Sequence, residues 1–317
     1  MYTIGVDLGG TNISVAVVDM ADSYKILGRG QRKTLAPRPA EAIMDDIAAA
    51  CRDAVAAAGV SMEQIVSIGV GTPGSVSKGS GMISFANNLA FHHVPAAEML
   101  RERLGRVVYL DNDANCAALG EALAGSGQGV SSFVAITLGT GVGSGIVIDG
   151  KIVNGVNDAA GECGHMVINV DGLPCNCGRQ GCWERYASAT ALVQQTKDAM
   201  EDHPESLCWR LADGKLENVN GRIPFDAWRA GDPVGSFVVM QYMRYVAVGL
   251  GNLINALQPA MICVGGGIGH ERENLLVPLR EMVKKERYSI YAPVQTDLVS
   301  AQLGNDAGVI GAAALEN

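Results

Sequence analysis

The stretch SFVAITLGTGVGSGIVID, Ser132 to Asp149, decides the architecture. It reads as a strand (132–138), a glycine turn (139–142) and a second strand (143–149). The same layout opens the chain. TIGVD at 3–7 and NISVAVVD at 12–19 are strands joined by the turn Leu8 to Thr11. Two strand–glycine–strand units in one chain suggest two related halves.

Working outward, a third strand is expected near 24–33, and a helix over 39–59 that closes on Gly59. IVSIGVG at 65–71 is a buried strand ended by Thr72-Pro73-Gly74, and VVYL at 107–110 leads into a helix at 112–124. In the second half a long apolar helix (233–258) precedes the strand AMICV (260–264) and Gly265-Gly266-Gly267. A helix near 270–287, a strand near 296–301 and a helix from about 306 close the chain. Alternating strands and helices with short connections indicate α/β architecture. A domain boundary is expected near 112–116.

The 317 residues carry a net charge of −9, with 48% hydrophobic and 18% charged residues. That composition suits a globular core and offers no basic stripe for nucleic acid. No run of about 18 apolar residues occurs, and the MYTIGVD start lacks a signal peptide's basic and apolar regions, so neither a membrane partner nor export is expected. Eight cysteines are present, and only Cys175, Cys177 and Cys182 are closely spaced. Reduced cysteines and a cytoplasmic address follow.

The segment GECGHMVINVDGLPCNCGRQGCWE, Gly161 to Glu184, is the most specific. His165 followed by Cys175, Cys177 and Cys182 supplies one imidazole and three thiolates, a closed tetrahedral set for structural Zn²⁺. The three cysteines lie among Asn, Gly, Arg and Gln, which is loop composition rather than core.

The glycine turns have a chemistry of their own. At Asp7-Leu8-Gly9-Gly10-Thr11-Asn12 the backbone N–H groups can approach an anion, and Asp7 could hold hydrated Mg²⁺; the alternative is a plain hairpin turn. Gly139, Thr140 and Gly141 repeat that logic. The residues after them are β-type, so a dinucleotide fingerprint fails. Gly145 to Ile152 comes near a P-loop but has Ile152 where Ser or Thr must meet the metal, and no helix follows. Asp111-Asn112-Asp113 ends a strand and starts a helix. Asp111 or Asn112 could cap the helix, while a carboxylate there could act as a base.

With these motifs together the chain resembles the sugar kinases of the ROK family (repressors, open reading frames, kinases). The motifs are DLGGTN (7–12), GTPGSV (71–76), NNLAF (87–91), LDNDAN (110–115), LGTGVGSG (138–145), GECGH (161–165), CNCGRQGCWE (175–184), GGG (265–267) and NDAGVIGAA (305–313). The resemblance implies a two-domain actin- and hexokinase-like fold with nucleotide and sugar in the interdomain cleft. The expected division is 1–114 with a C-terminal helix at about 303–317, and 115–302. It implies an ATP:hexose 6-phosphotransferase, glucokinase first, with N-acetylmannosamine, fructose or allose as alternative sugars.

By resemblance, Asp113 is the catalytic base, and Asn88, Asn112, Glu162, His165 and Glu184 contact sugar hydroxyls. Asp7, Gly9, Gly10, Thr11 and Asn12 form the first phosphate loop and Gly139, Thr140 and Gly141 the second, with Gly265, Gly266 and Gly267 by the adenosine. ATP, Mg²⁺ and structural Zn²⁺ are the implied cofactors, and a homodimer the implied assembly. The family often has Pro-Asn-Leu-Gly-Trp where this chain has Asn87-Asn88-Leu89-Ala90-Phe91, which bears on sugar choice. A sugar-sensing repressor is the rival reading. It needs an N-terminal DNA-binding domain, whereas the phosphate-loop strand here begins at Thr3.

Overall fold

The computed structural model describes Met1 to Leu315; Glu316 and Asn317, the end of the expected C-terminal helical segment, lie outside the described residues. The first half runs β1 (Tyr2–Leu8), β2 (Asn12–Asp19), β3 (Lys25–Lys33), α1 (Ala40–Ala58), β4 (Ile65–Thr72), β5 (Ser75–Ser77), β6 (Met82–Ala86), β7 (Phe91–Val94), α2 (Ala96–Leu104), β8 (Val107–Asn112) and α3 (Asp113–Ala124). There follow β9 (Ser132–Leu138), β10 (Val142–Ile148), β11 (Lys151–Ile152), α4 (Glu184–Ala187), α5 (Ala189–Asp202), α6 (Leu207–Leu211), α7 (Ile223–Arg229) and α8 (Pro233–Leu257). The chain ends with β12 (Met261–Gly265), α9 (Gly266–Gly269), α10 (Glu273–Glu286), β13 (Asp297–Ser300) and α11 (Asp306–Ala313).

Two five-stranded sheets are ordered β3-β2-β1-β4-β8 and β11-β10-β9-β12-β13, and a small third sheet is β5-β6-β7. The fold is the actin- and hexokinase-like α/β type. Residues group into two units, the first comprising Met1–Ala135, Gly145–Gly161 and the chain from Ala301 onward, the second Ile136–Ser144 and Glu162–Ser300.

In the first unit, α1 buries Ile43, Met44, Ile47, Cys51 and Ala54 at helical spacing, and Gly59 ends it in the left-handed region at φ 68°. Burial of each of Ile43, Met44 and Ile47 contributes about 1.5–3 kcal/mol. The other face of the sheet is covered by α11, whose Val309 and Ala313 pack on Ala16 and Val18 of β2 while its backbone touches β1 and β4 directly. A Cβ on Gly5 would stand 1.8 Å from the Val309 carbonyl oxygen, and one on Gly69 would stand 1.7 Å from that of Ala312. Glycines thus let α11 lie flush on β1 and β4. Gly120 and Gly311 do the same between α3 and α11, whose Cβ positions fall 2.1 Å from the Ala307 oxygen and 1.7 Å from the Cys116 oxygen. The buried Glu121 carboxylate then fixes the segment before α11, accepting from the N–H groups of Gln302 and Leu303 at 2.9 and 2.7 Å.

In the second unit, α8 is the spine. Among the described residues it is the single helix long and apolar enough to cross a membrane, with a mean hydropathy of 1.2 over its most apolar window. Val238, Val239, Tyr242, Met243, Val246, Leu250 and Ile254 are nonetheless buried, so it serves as a core helix. Gly249 leaves room for the Trp183 ring, whose Nε1–H donates to the Tyr245 carbonyl at 2.8 Å.

Candidate active site and metal centre

In the first unit, strand register sets the carboxylates. Asp7 on β1 pairs with Gly71 on β4, and Gly71 pairs with Asp111 on β8. All three stand at the C-terminal edge of parallel strands, where open α/β sheets place ligands. A Cβ on Gly71 would lie 3.0 Å from Cys116 Sγ and 3.5 Å from Asp113 Cα, so glycine lets the first turn of α3 settle against the sheet.

Asn112 is the helix cap. Its Oδ1 accepts from the N–H groups of Ala114 at 2.8 Å and Asn115 at 3.4 Å, and its Nδ2 donates to the Gly74 carbonyl at 3.1 Å. Asp113 is therefore the first helical residue. Burial pushes its carboxyl above the usual range, against the pull of the Ala114 N–H that donates to Oδ1 at 2.9 Å. Burial and then the charge of Asp113 push Asp7 up to about 6. Two neighbouring carboxylates that resist ionising together invite a cation or a shared proton.

The first glycine turn closes with Gly9 N–H donating to the Asn12 carbonyl at 2.9 Å. Thr34 clamps it, giving its hydroxyl to the Gly9 carbonyl at 2.6 Å and its N–H to the Thr11 carbonyl at 2.9 Å. Lys33 Nζ donates to Asn12 Oδ1 at 2.8 Å, while Gly10 and Thr11 remain exposed. Asn88 is exposed on the short turn after β6, with its Cβ 3.5 Å from the position a Cβ on Gly10 would take. Asp7, the first turn, Asn88, Asn112 and Asp113 thus belong to one neighbourhood. Phe91, in the motif that departs from the family, is 2% exposed and belongs to the core.

In the second unit, the second turn closes with Gly139 N–H donating to the Gly141 carbonyl at 3.0 Å. Its clamps come from α4 and α5. The Ala189 N–H reaches the Gly139 carbonyl at 2.8 Å, and the Thr190 hydroxyl reaches that of Thr140 at 2.8 Å. Glu184 Oε2 accepts from the Val142 N–H at 2.9 Å and lies 2.1 Å from a Cβ placed on Gly141. Gly141 is needed for this carboxylate to sit under the turn. A Cβ on Gly139, by contrast, would meet nothing within 4 Å. Of the three glycines after β12, Gly266 is fixed by packing: its φ is 79° and a Cβ would lie 2.6 Å from Leu138 N. Gly267 is exposed.

The four metal-ligand candidates converge. The ligand atoms of His165, Cys175, Cys177 and Cys182 all lie within 4.8 Å of one another. Cys175 Sγ is 3.7 Å from His165 Nδ1, and the Sγ atoms of Cys177 and Cys182 are 3.6 Å apart. Zinc–thiolate bonds of about 2.3 Å in a tetrahedron give edges of about 3.8 Å, so the set fits Zn²⁺. The backbone and then the side chain of Arg179 pull the Cys177 thiol down to about 6, which favours one thiolate. The loop is also crossed by its own hydrogen bonds, from the Cys175 N–H to the Arg179 carbonyl and from the Gly181 N–H to the Leu173 carbonyl, each at 2.8 Å, and the Leu173 N–H donates to the Tyr186 hydroxyl at 2.8 Å, but it has little apolar core. Leu173 is 48% and Val170 77% exposed, and its regular pairing is confined to the bridges Val167–Cys182 and Pro174–Gln180. One residue past the last ligand, the fully buried Trp183 anchors the start of α4, which fixes Glu184. Glu162 is exposed just before the turn that carries His165, and its carboxylate accepts no hydrogen bond among the described residues.

The sequence profile of the ROK family matches residues 3–317. The chain belongs to the ROK family. ROK relatives include a glucokinase of Streptomyces coelicolor, 40% identical over 99% of this chain and 96% of that protein. A second, a glucokinase of Thermotoga maritima, is 36% identical over 98% and 96%. Among solved ROK structures, the ROK family glucokinase of Streptomyces griseus in complex with glucose and AMPPNP matches with a TM-score of 0.82 and 37% identity, covering 99% of this chain and 98% of that one.

Sequence reasoning did not single out Lys78, whose Nζ meets Asp111 Oδ2 at 2.8 Å. A lone lysine in a polar turn gives no signal, because its partner lies 33 positions away.

Proposed function

We propose that this ROK protein is a hexose kinase that transfers the γ-phosphoryl group of ATP to the 6-hydroxyl of glucose, with Asp113 as base. The observation that carries the base assignment is the place of Asp113. It is the first residue of α3, beside Asp7, with burial raising both carboxyls. A carboxylate whose proton affinity is raised by burial is the better base for a hydroxyl nucleophile.

The hydroxyl proton passes to an Asp113 carboxylate oxygen. The freed oxygen lone pair forms the new bond to the γ-phosphorus. The bond from that phosphorus to the β,γ-bridging oxygen breaks, and ADP leaves with its electrons. N–H groups at the two glycine turns support phosphate charge. Mg²⁺, for which Asp7 with its unrelieved neighbour is a fitting ligand through water, would neutralise the phosphates. Zn²⁺ at His165, Cys175, Cys177 and Cys182 would leave no open coordination position and so would be structural. With Nδ1 turned to the cluster, the opposite ring nitrogen of His165 is free for a sugar hydroxyl, alongside Asn88, Asn112, Glu162 and Glu184.

Departures at Asn87 and Phe91 from the family's usual motif keep N-acetylmannosamine, fructose and allose as second choices. A coupled assay across these hexoses ranks them, and the highest kcat/KM is expected for glucose. Asp113→Asn should lower kcat by about 10²–10⁴-fold while sugar binding persists; near-normal turnover would remove the base assignment. None of the eight cysteines is in a disulfide, which accords with a cytoplasmic address; a homodimer is the assembly that the family resemblance implies.

A further inference from the structure

We propose that Lys78 and Asp111 form an ion pair that positions Asp113, making Lys78 a positioning residue for phosphoryl transfer; this rests on the reading of Asp113 as the base. The Asp111 side chain is 3% exposed and that of Lys78 37%, so the carboxylate is buried and the ammonium closes its mouth. Oδ2 takes the Lys78 hydrogen bond at 2.8 Å. Oδ1 accepts from the Asn112 N–H at 2.8 Å and from Asn115 Nδ2 at 2.8 Å. Those two residues flank Asp113 in sequence. One buried carboxylate thus grips the helix start on either side of the base.

The lysine is itself held. Its N–H donates to Asp158 Oδ2 at 3.0 Å. The Asn154 amide lies against both members of the pair. In one orientation its Nδ2 reaches Asp111 Oδ2 at 3.3 Å; in the other its carbonyl takes a bond from Lys78 Nζ at 2.6 Å. The turn after β5, the end of β8 and the loop after β11 therefore meet at this pair.

Charge explains why a cation is needed. Asp7, Asp111 and Asp113 all bear on the same buried Cys116 thiol, and Lys78 opposes them there. Without Lys78, Asp111 is a buried charge with no counterion, which is far costlier than removing both partners. It must take up a proton or draw in water, and either event changes what Oδ1 offers to Asn112 and Asn115. The sugar contacts on the metal loop involve neither residue of the pair.

The test is steady-state kinetics of Lys78→Met, Asp111→Asn with Lys78→Met, and Asp113→Asn, each with a thermal melt. Lys78→Met should lower kcat about tenfold or more with the glucose KM within about threefold. The double variant should recover most of the loss, since an amide at 111 can keep both Oδ1 bonds without a stranded charge. Should Lys78→Met fail to fold, the double variant carries the test alone and must turn over within about tenfold of wild type. Unchanged kcat in folded Lys78→Met, a loss confined to KM, or no recovery in the double variant each overturn the proposal. Normal turnover by Asp113→Asn instead breaks the base assignment itself, and a dead Asp113→Asn beside a normal Lys78→Met breaks the pair's role alone.

Discussion

The turn at Leu8–Asn12 is tied to its own sheet, whereas the turn at Leu138–Val142 is tied to the segment behind the metal ligands. Thr34, directly after β3, clamps the first turn through the Gly9 and Thr11 carbonyls. Glu184, Ala189 and Thr190 clamp the second, and all three follow Cys182 within eight residues. Two turns with the same layout thus draw their rigidity from different sources. The first depends on β-sheet hydrogen bonds and local packing. The second depends on a loop of little apolar core, held by its own turn hydrogen bonds, by four candidate ligand side chains and by the buried Trp183. The physical consequence is that metal loss should damage one turn and spare the other.

The largest way to break that contrast is at the ligands. Cys182→Ser should abolish stoichiometric zinc in elemental analysis and raise the glucose KM about tenfold or more, because His165 and Glu184 lose their support. Full activity in a zinc-free variant would end the structural-metal reading.

A smaller effect, of opposite sign for stability, belongs to the first turn. The Asp7 carboxyl is raised to about 6 from 3.8, chiefly by burial. Its ionised form is therefore penalised in the fold, fully above about pH 6 and not at all below the unfolded value. Asp7→Asn should raise the melting temperature of the ligand-free protein at pH 8, by a gain of about 1–3 kcal/mol after allowing for partial exposure, and lose that gain near pH 4. The same variant should lose most activity. In the wild type, kcat should fall as pH drops through about 6, where Asp7 takes up a proton, and the Asp113 carboxyl, raised by burial, adds to the loss on the acid side. A pH-independent kcat between 5 and 8, or a destabilised Asp7→Asn, would show that the pair is not strained.

The smallest effect is expected at the clamp. Thr34→Val removes the hydroxyl that meets the Gly9 carbonyl at 2.6 Å. About 1 kcal/mol of stability and a few-fold rise in the KM for ATP should follow, with glucose KM unmoved. A change confined to glucose KM would reverse the assignment of the two turns.

Much of this was legible in the sequence. Both hairpins, α1, α3, α8 and the strand before the glycine triplet carry strong periodicity or glycine punctuation. The metal ligands could be read from spacing, since four donors in eighteen residues are close along the chain. What escaped was non-local or short. The β5-β6-β7 sheet is made of strands of three to five residues with mixed polarity, below what alternation can show. The flush packing of α11 on the first sheet depends on Gly5 and Gly69, whose partners Val309 and Ala312 lie at the far end of the chain. The partnership of Lys78 with Asp111 is set by tertiary approach alone. The use of Glu184 as a clamp for Val142 could not be read either, because the carboxylate's reach to the turn depends on how Trp183 seats α4.

The most direct measurement is amide hydrogen exchange, resolved by residue, with and without a zinc chelator. On metal removal the N–H groups of Val142 and Ala189 should exchange faster, since Glu184 and the start of α5 lose their anchor. Those of Gly9 and Thr34 should keep their rates. Equal acceleration at both turns, or none at Val142, would contradict the account.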